Sequence, residues 1–162
     1  MKKNKKINYC VCSKSNKINL KKKIFYNNYG DALKKFNPKI VYISTVNSLH
    51  YKYAKDILKK GFNVIVDKPV TLNIKETKEL LRIAKTKKLL FAEAILFNYH
   101  RVFDVIKRLS GGFKKIEHIQ SNFNIPLMKN LDEIKEIEGD CESDMSIYAA
   151  AILRLFTKNG TR

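Results

Sequence analysis

Tryptophan is absent from the 162 residues, and cysteine (three), proline (three) and glycine (six) are sparse. Cys10, Cys12 and Cys141 are an odd set without paired spacing. That argues against a disulfide framework and fits free thiols in a reducing, cytoplasmic setting. Together with His50, His100 and His118 they form no metal-ligand pattern, so no metal is expected. No G-x-G-x-x-G occurs anywhere, so the glycine turn that lets a backbone approach a pyrophosphate is missing. Long apolar runs are missing too. The longest, "LLFAEAILF" (Leu89 to Phe97), is interrupted by Glu93 and is too short to span a bilayer. No apolar stretch of signal-peptide length follows the basic N-terminus.

Acidic residues are also few: 15 Asp and Glu stand against 33 Lys and Arg, giving a net charge of +18. Such a field attracts anions. The cations are overwhelmingly lysines, scattered among Asn and Ile as in AT-rich coding sequence, and lysine makes poor bidentate base contacts. The densest basic spots, "MKKNKK" and Lys21 to Lys23, are not interleaved with aromatics or arginine. A solvated lysine surface is the expectation, rather than a nucleic-acid or membrane interface. At 44% hydrophobic residues the chain can build a core.

Strand and helix signals alternate along the first part of the chain. "INYCVC" (Ile7 to Cys12) and "IFY" (Ile24 to Tyr26) read as strands, and "GDALKKF" as a helical turn with Asp31 near its start. "KIVYIST" (Lys39 to Thr45) is a nearly continuous apolar run, as in a strand covered on both faces. The next helix has Leu49, Tyr53, Ile57 and Leu58 near one face and Gly61 at its end. "NVIVD" is another strand. Asn73 caps a helix running to Thr86, with Ile74, Leu80, Leu81 and Ala84 on its apolar face. "LLFAEA" is again strand-like. This order predicts an α/β fold, a partial Rossmann-like parallel sheet with helices on both faces. Beyond Glu93 the pattern changes. "NYHRVFDVIKRLS" reads as an amphipathic helix ended by Gly111 and Gly112, and "KKIEHIQSNFNI" as a half-buried strand. "LDEIKEIEGDCESD" reads as an acidic loop. "SDMSIYAAAILRLFTKNG" reads as a helix capped by Ser143, with Gly160 beyond it. A domain boundary is therefore expected near Ala92, dividing residues 1–92 from 93–162.

Ligands of such sheets bind beyond the carboxyl ends of the strands. Three polar tips then share one edge: Ser13–Lys14–Ser15, Thr45–Val46–Asn47 and Asp67–Lys68–Pro69. Each has a plain reading as well. Lys68 is also an ordinary charge at a strand end, Asp67 a turn residue, and His50 a polar residue on a helix surface. An Asp–Tyr pair such as Asp144 and Tyr148 is also a capping acid and a core-edge aromatic.

The stretch "VYISTVNSLHYKYAKDILKKGFNVIVDKPV" resembles the centre of the Gfo/Idh/MocA oxidoreductases. There a strand leads into T-P-N-x-x-H, a helix, G-x-x-V and a strand ending in E-K-P. "AEAILFNYHR" is similar to that family's E-A-x-M-x-R-x-H-P, and "SDMSIYAAAILRLF" to its D-x-G-x-[HY] helix. The resemblance implies a dinucleotide-binding domain joined to the start of an α/β substrate domain. The implied activity is NAD(P)-dependent hydride exchange with a hydroxyl or ketone carbon of a sugar or nucleotide sugar. By the same resemblance Lys68 lies beside the nicotinamide and binds the substrate oxygen, Tyr148 shuttles a proton, and Asp144 orients substrate or base. Thr45, Asn47, His50, Asp67 and Glu93 would lie at the cofactor, and Ser13, Lys14 and Ser15 would read the adenosine ribose. Hydroxyls beside a lysine suit a 2′-phosphate, which favours NADP over NAD.

Several departures from the family pattern shape the expectation. The first strand and its glycine turn have no counterpart, and neither does the family's large C-terminal sheet, which often builds the dimer. Val46 replaces Pro, Asp67 replaces Glu, Asn98 replaces Arg, Arg101 replaces Pro and Ser146 replaces Gly. Without the first strand, Ile7–Cys12 must pair with Val41–Thr45 or leave an edge unpaired. An impaired, truncated enzyme is expected. The alternative is a non-catalytic basic remnant or complementing subunit that binds a protein or nucleic-acid partner; the assemblies to expect are a homo-oligomer or a pairing with a complementing chain.

Overall fold

The computed structural model describes residues 7–13, 24–109, 117–120, 122 and 141–156. The chain divides into two compact units, 1–40 and 41–162.

In the first unit, strand β1 (Cys10–Cys12) pairs in parallel with β2 (Ile24–Tyr26), from Cys10↔Ile24 to Cys12↔Tyr26. Ser13 N–H extends the ladder by donating to the Tyr26 carbonyl at 3.1 Å. β1 is shorter than the run from Ile7 because its partner strand has only three residues. Helix α1 (Tyr29–Phe36) packs on both strands through Ala32 and Leu33. Its first turn is capped by Asn28 Oδ1, which accepts from Asp31 N–H at 3.1 Å. Asp31 near the start and Lys34 and Lys35 near the end complement the helix dipole.

The second unit, which begins at the second residue of β3 (Ile40–Ile43), continues through α2 (Asn47–Lys59), β4 (Asn63–Asp67), α3 (Ile74–Lys87) and β5 (Phe91–Ala94), with sheet order β3-β4-β5. β4 and β5 are parallel, in register from Val64↔Phe91 to Asp67↔Ala94. α2 and α3 pack on each other, on β4 and on β5. Val64, Val66, Leu58, Ala54 and Leu80 are completely buried there. The fold is thus of parallel sheets flanked by helices. Among the described residues β1 pairs only with β2, and no strand links the two sheets.

Several expectations are corrected. β3 is not covered on both faces, since Ile40 (44%) and Tyr42 (50%) remain exposed. The buried face of α2 is His50, Ala54, Ile57 and Leu58, one position round from Leu49 and Tyr53. On α3 only Leu80 and Ala84 are buried, while Ile74 and Leu81 face outward. Asn73 does cap α3, its Oδ1 accepting from Lys75 N–H at 2.8 Å. Gly61 does close α2, at φ +90, where a side chain would be strained.

Past β5 the chain makes a 3-10 turn (Leu96–Tyr99) and then α4 (Val102–Leu109). The single helix expected from Asn98 is interrupted because His100 Nδ1 accepts from Val102 N–H at 3.2 Å, so His100 caps a helix that begins later. Residues 117–120 and 122 form no strand, against expectation. The rest of that segment, with Gly111, Gly112 and Gly160, lies outside the described residues. α5 (Cys141–Phe156) begins two residues before Ser143, which is therefore inside the helix and not its cap. α5 packs on the 3-10 turn. The change of pattern expected near Ala92 falls within β5, in the second unit.

Candidate active site

The ladder ends at the pair Asp67↔Ala94, and the next three residues of the β4 tip are each held by a side chain. Lys68 N–H donates to Asp67 Oδ1 at 3.0 Å. The Pro69 carbonyl accepts from His50 Nδ1 at 2.8 Å. Val70 N–H donates to Glu93 Oε1 at 2.8 Å. The Lys68–Pro69 peptide bond is cis. Behind the tip, the nearly buried Thr71 hydroxyl bonds to the Asn73 carbonyl at 2.9 Å and to the Thr77 hydroxyl at 2.6 Å.

Beside this tip lies an open pocket of about 220 Å³, lined by Asp67, Lys68, Ala94, Ile95, Leu96, Ile147 and Tyr148. The Lys68 ammonium sits over the ring of Tyr148, 5.2 Å from its centroid. A half-buried cation against an aromatic face is a favourable pair. One wall is polar (Asp67, Lys68, Tyr148) and the rest apolar, so a ligand oxygen would meet the cation where much of the surrounding water is displaced.

The pocket gathers three of the residues singled out from sequence: Asp67, Lys68 and Tyr148. Asp144 lies one turn before Tyr148 on α5, and its side chain is outside the described residues. Thr45, Asn47, His50 and Glu93 do not line the pocket. Glu93 and His50 instead brace the tip. The Thr45 hydroxyl donates to the Val46 carbonyl at 3.3 Å, and Asn47 opens α2. Ser13 continues the β1–β2 ladder in the first unit, and Lys14 and Ser15 lie outside the described residues. Tyr42 was not anticipated. Burial pushes its hydroxyl above the ordinary value, and the charge of Asp67, whose carboxylate accepts its hydrogen bond, pushes it the same way. The available signal was the alternation of "IVYI", which sets Tyr42 on the face opposite Val41 and Ile43.

A parallel α/β unit with polar tips and a pocket beyond its strand ends defines the class of a nucleotide-binding α/β protein. The sequence model of the Gfo/Idh/MocA group, described as an oxidoreductase family with an NAD-binding Rossmann fold, matches residues 4–95. The chain belongs to that family. It is 26% identical over 132 residues to a dTDP-3,4-didehydro-2,6-dideoxy-alpha-D-glucose 3-reductase from Streptomyces violaceoruber, covering 78% of this chain and 38% of the relative. It is 24% identical over 135 residues to D-xylose 1-dehydrogenase (NADP(+)) 2 from Haloferax volcanii, covering 81% and 42%. The chain thus spans about two-fifths of the length of these relatives. A solved NAD-binding protein from Listeria innocua superposes with a TM-score of 0.63 at 22% identity, covering 82% of this chain and 41% of that one, a likeness of fold. No helix among the described residues is long and apolar enough to cross a membrane.

Proposed function

We propose that this chain carries the nicotinamide-side residues of an NAD(P)-dependent oxidoreductase, active in the cytoplasm on a hydroxyl or ketone of a sugar or nucleotide sugar, in an impaired form. The observation that carries the reading is the meeting of Lys68 and Tyr148, 80 positions apart in sequence, in one pocket beyond the end of β4. The relatives named above act, by their names, on such substrates.

The pocket fits the ring end of the cofactor. Ala94, Ile95, Leu96 and Ile147 offer apolar surface for a planar ring, and the volume admits one. The phosphate end has no matching glycine turn in the sequence. When bound, the nicotinamide supplies or accepts the hydride. Lys68 binds the substrate oxygen and stabilises negative charge developing on it. Tyr148 exchanges the hydroxyl proton, and Asp144, one turn away, orients substrate or phenol. The preference for NADP rests on Ser13, Lys14 and Ser15. The reading of an impaired form rests on the absence of a G-x-G-x-x-G turn from these 162 residues.

The test is an NMR titration of the labelled chain with NADPH and NADH. Millimolar NADPH should shift Lys68, Ala94 and Tyr148, and Lys68→Ala should remove the effect. Absence of shifts at these residues would sink the oxidoreductase reading. Saturation already at micromolar NADPH would instead overturn the claim of impairment.

A further inference from the structure

We propose that His50 is a positioning residue that fixes the Lys68–Pro69 segment through the Pro69 carbonyl, and that it is not a cofactor contact. His50 sits on α2 with 0% of its surface exposed. Its Nδ1 lies 2.8 Å from the Pro69 carbonyl oxygen and its Nε2 3.0 Å from the Thr45 carbonyl oxygen. Carbonyl oxygens only accept, so the Nδ1–H tautomer is the one that donates across the shorter contact, to Pro69. Both ring nitrogens face backbone carbonyls, and the ring does not line the pocket.

The placement of the two carbonyls gives the ring its role. Pro69 directly follows Lys68 and lies beyond the last ladder pair, so pairing with β5 does not hold it. Thr45 lies in the loop between β3 and α2. One imidazole therefore ties the exits of two strands together and sets the direction in which the Lys68 side chain leaves the backbone. Shorter or apolar side chains cannot reach both oxygens. The inference rests on the oxidoreductase reading only for what Lys68 then does; its placement is testable without turnover.

The Lys68 ammonium lies over the Tyr148 ring, so the ring current of Tyr148 shifts the neighbouring Lys68 methylene protons upfield. In the full chain, Tyr148→Leu gives the unshifted value. His50→Asn should move the Lys68 signal measurably toward that value while the amide spectrum stays dispersed. A folded His50→Asn protein with the Lys68 signal unchanged overturns the proposal. Should that variant unfold, the wild-type ring decides. Long-range nitrogen–proton correlations should show His50 Nδ1 carrying hydrogen, and a bare, lone-pair Nδ1 overturns the proposal. These signals are read without cofactor, so a failed NADPH titration leaves them intact.

Discussion

Tyr148 offers two separable features, a ring face and a hydroxyl, and substitutions can tell which one the fold uses. The Lys68 ammonium is 5.2 Å from the ring centroid, inside the roughly 6 Å at which a cation is attracted to an aromatic face. Such pairs contribute about 0.5–1 kcal/mol when exposed and about 2 kcal/mol when desolvated. Both residues are half-buried in an open pocket, which places the pair near ~1 kcal/mol. A cycle of Lys68→Met, Tyr148→Leu and the double variant should give that coupling. Tyr148→Phe keeps the ring and should lose less than Tyr148→Leu. Urea unfolding followed by circular dichroism is the assay. With a slope of about 1–3 kcal/mol per molar, 1 kcal/mol moves the midpoint by about 0.3–1 M. The midpoint is the quantity to compare, because extrapolated stabilities carry an uncertainty of about 10–15%. If Tyr148→Phe loses as much as Tyr148→Leu, or the coupling is zero, the ring does not hold the cation and the pocket geometry argued above is wrong. In a proton-transfer step the hydroxyl is expected to matter at about 10²–10⁴-fold.

Leu80 is fully buried on α3, which packs against α2, so Leu80→Ala should cost about 2–5 kcal/mol in urea unfolding; a loss below about 1 kcal/mol would mean that the site collapses around the smaller side chain or is not core. Between the same helices the Tyr51 hydroxyl donates to Glu79, and the Lys55 ammonium reaches Tyr51 Oη at 2.7 Å and Glu79 Oε1 at 2.9 Å. The Tyr51 hydrogen bond first, and the bond from Lys55 next, hold Glu79 below its ordinary value, so its contribution is complete above the unfolded value and fades as pH falls through the folded one. Lys55 is raised, chiefly by its bond to Tyr51 and then by that to Glu79, so its contribution fades as pH rises through its folded value. Melting temperature measured across the acid range should therefore fall less steeply for Glu79→Gln than for wild type, and an unchanged acid slope would dissociate this cluster from stability. Tyr42 is raised by burial and by Asp67, so in ultraviolet titration one phenol should ionise above the rest, and Asp67→Asn should bring it partway down; no movement would show that burial alone sets it.

How much the sequence disclosed follows from where each signal resides. The Asn28 and Asn73 caps and the Gly61 stop are decided within one turn of chain, and the residue types at those positions announce them. The face of α2 was misassigned because hydropathy ranks Leu49 and Tyr53 above His50. A histidine takes a core position only when partners for its nitrogens exist, and here they lie in two loops that no local pattern brings together. In the sequence Tyr42 is one apolar residue among others, and its contact with Asp67 depends on the neighbouring strand. α5 reaches back to Cys141 through an acidic stretch that read as loop; carboxylates near a helix N-terminus favour the helix that charge counting alone discounted. The meeting of Lys68 with Tyr148 was expected from the family resemblance, since spacing alone cannot join residues 80 positions apart.

The β4 tip also bears on how a reactive lysine can be held where the sheet has ended. A side chain beyond the last ladder pair would normally sample several directions, yet a site of this kind needs its groups placed within about 0.5 Å. Here the backbone of three consecutive residues is fixed by three side chains of different origin: Asp67 from the strand itself, His50 from α2 and Glu93 from β5. Bonds in which one partner is charged contribute about 1.5–3 kcal/mol, roughly twice a neutral pair. Because the three contacts act on adjacent peptide groups, losing one leaves the others to limit the movement. Removal of two should therefore displace Lys68 by more than the sum of the single losses. That non-additivity separates a brace from three independent stabilising contacts.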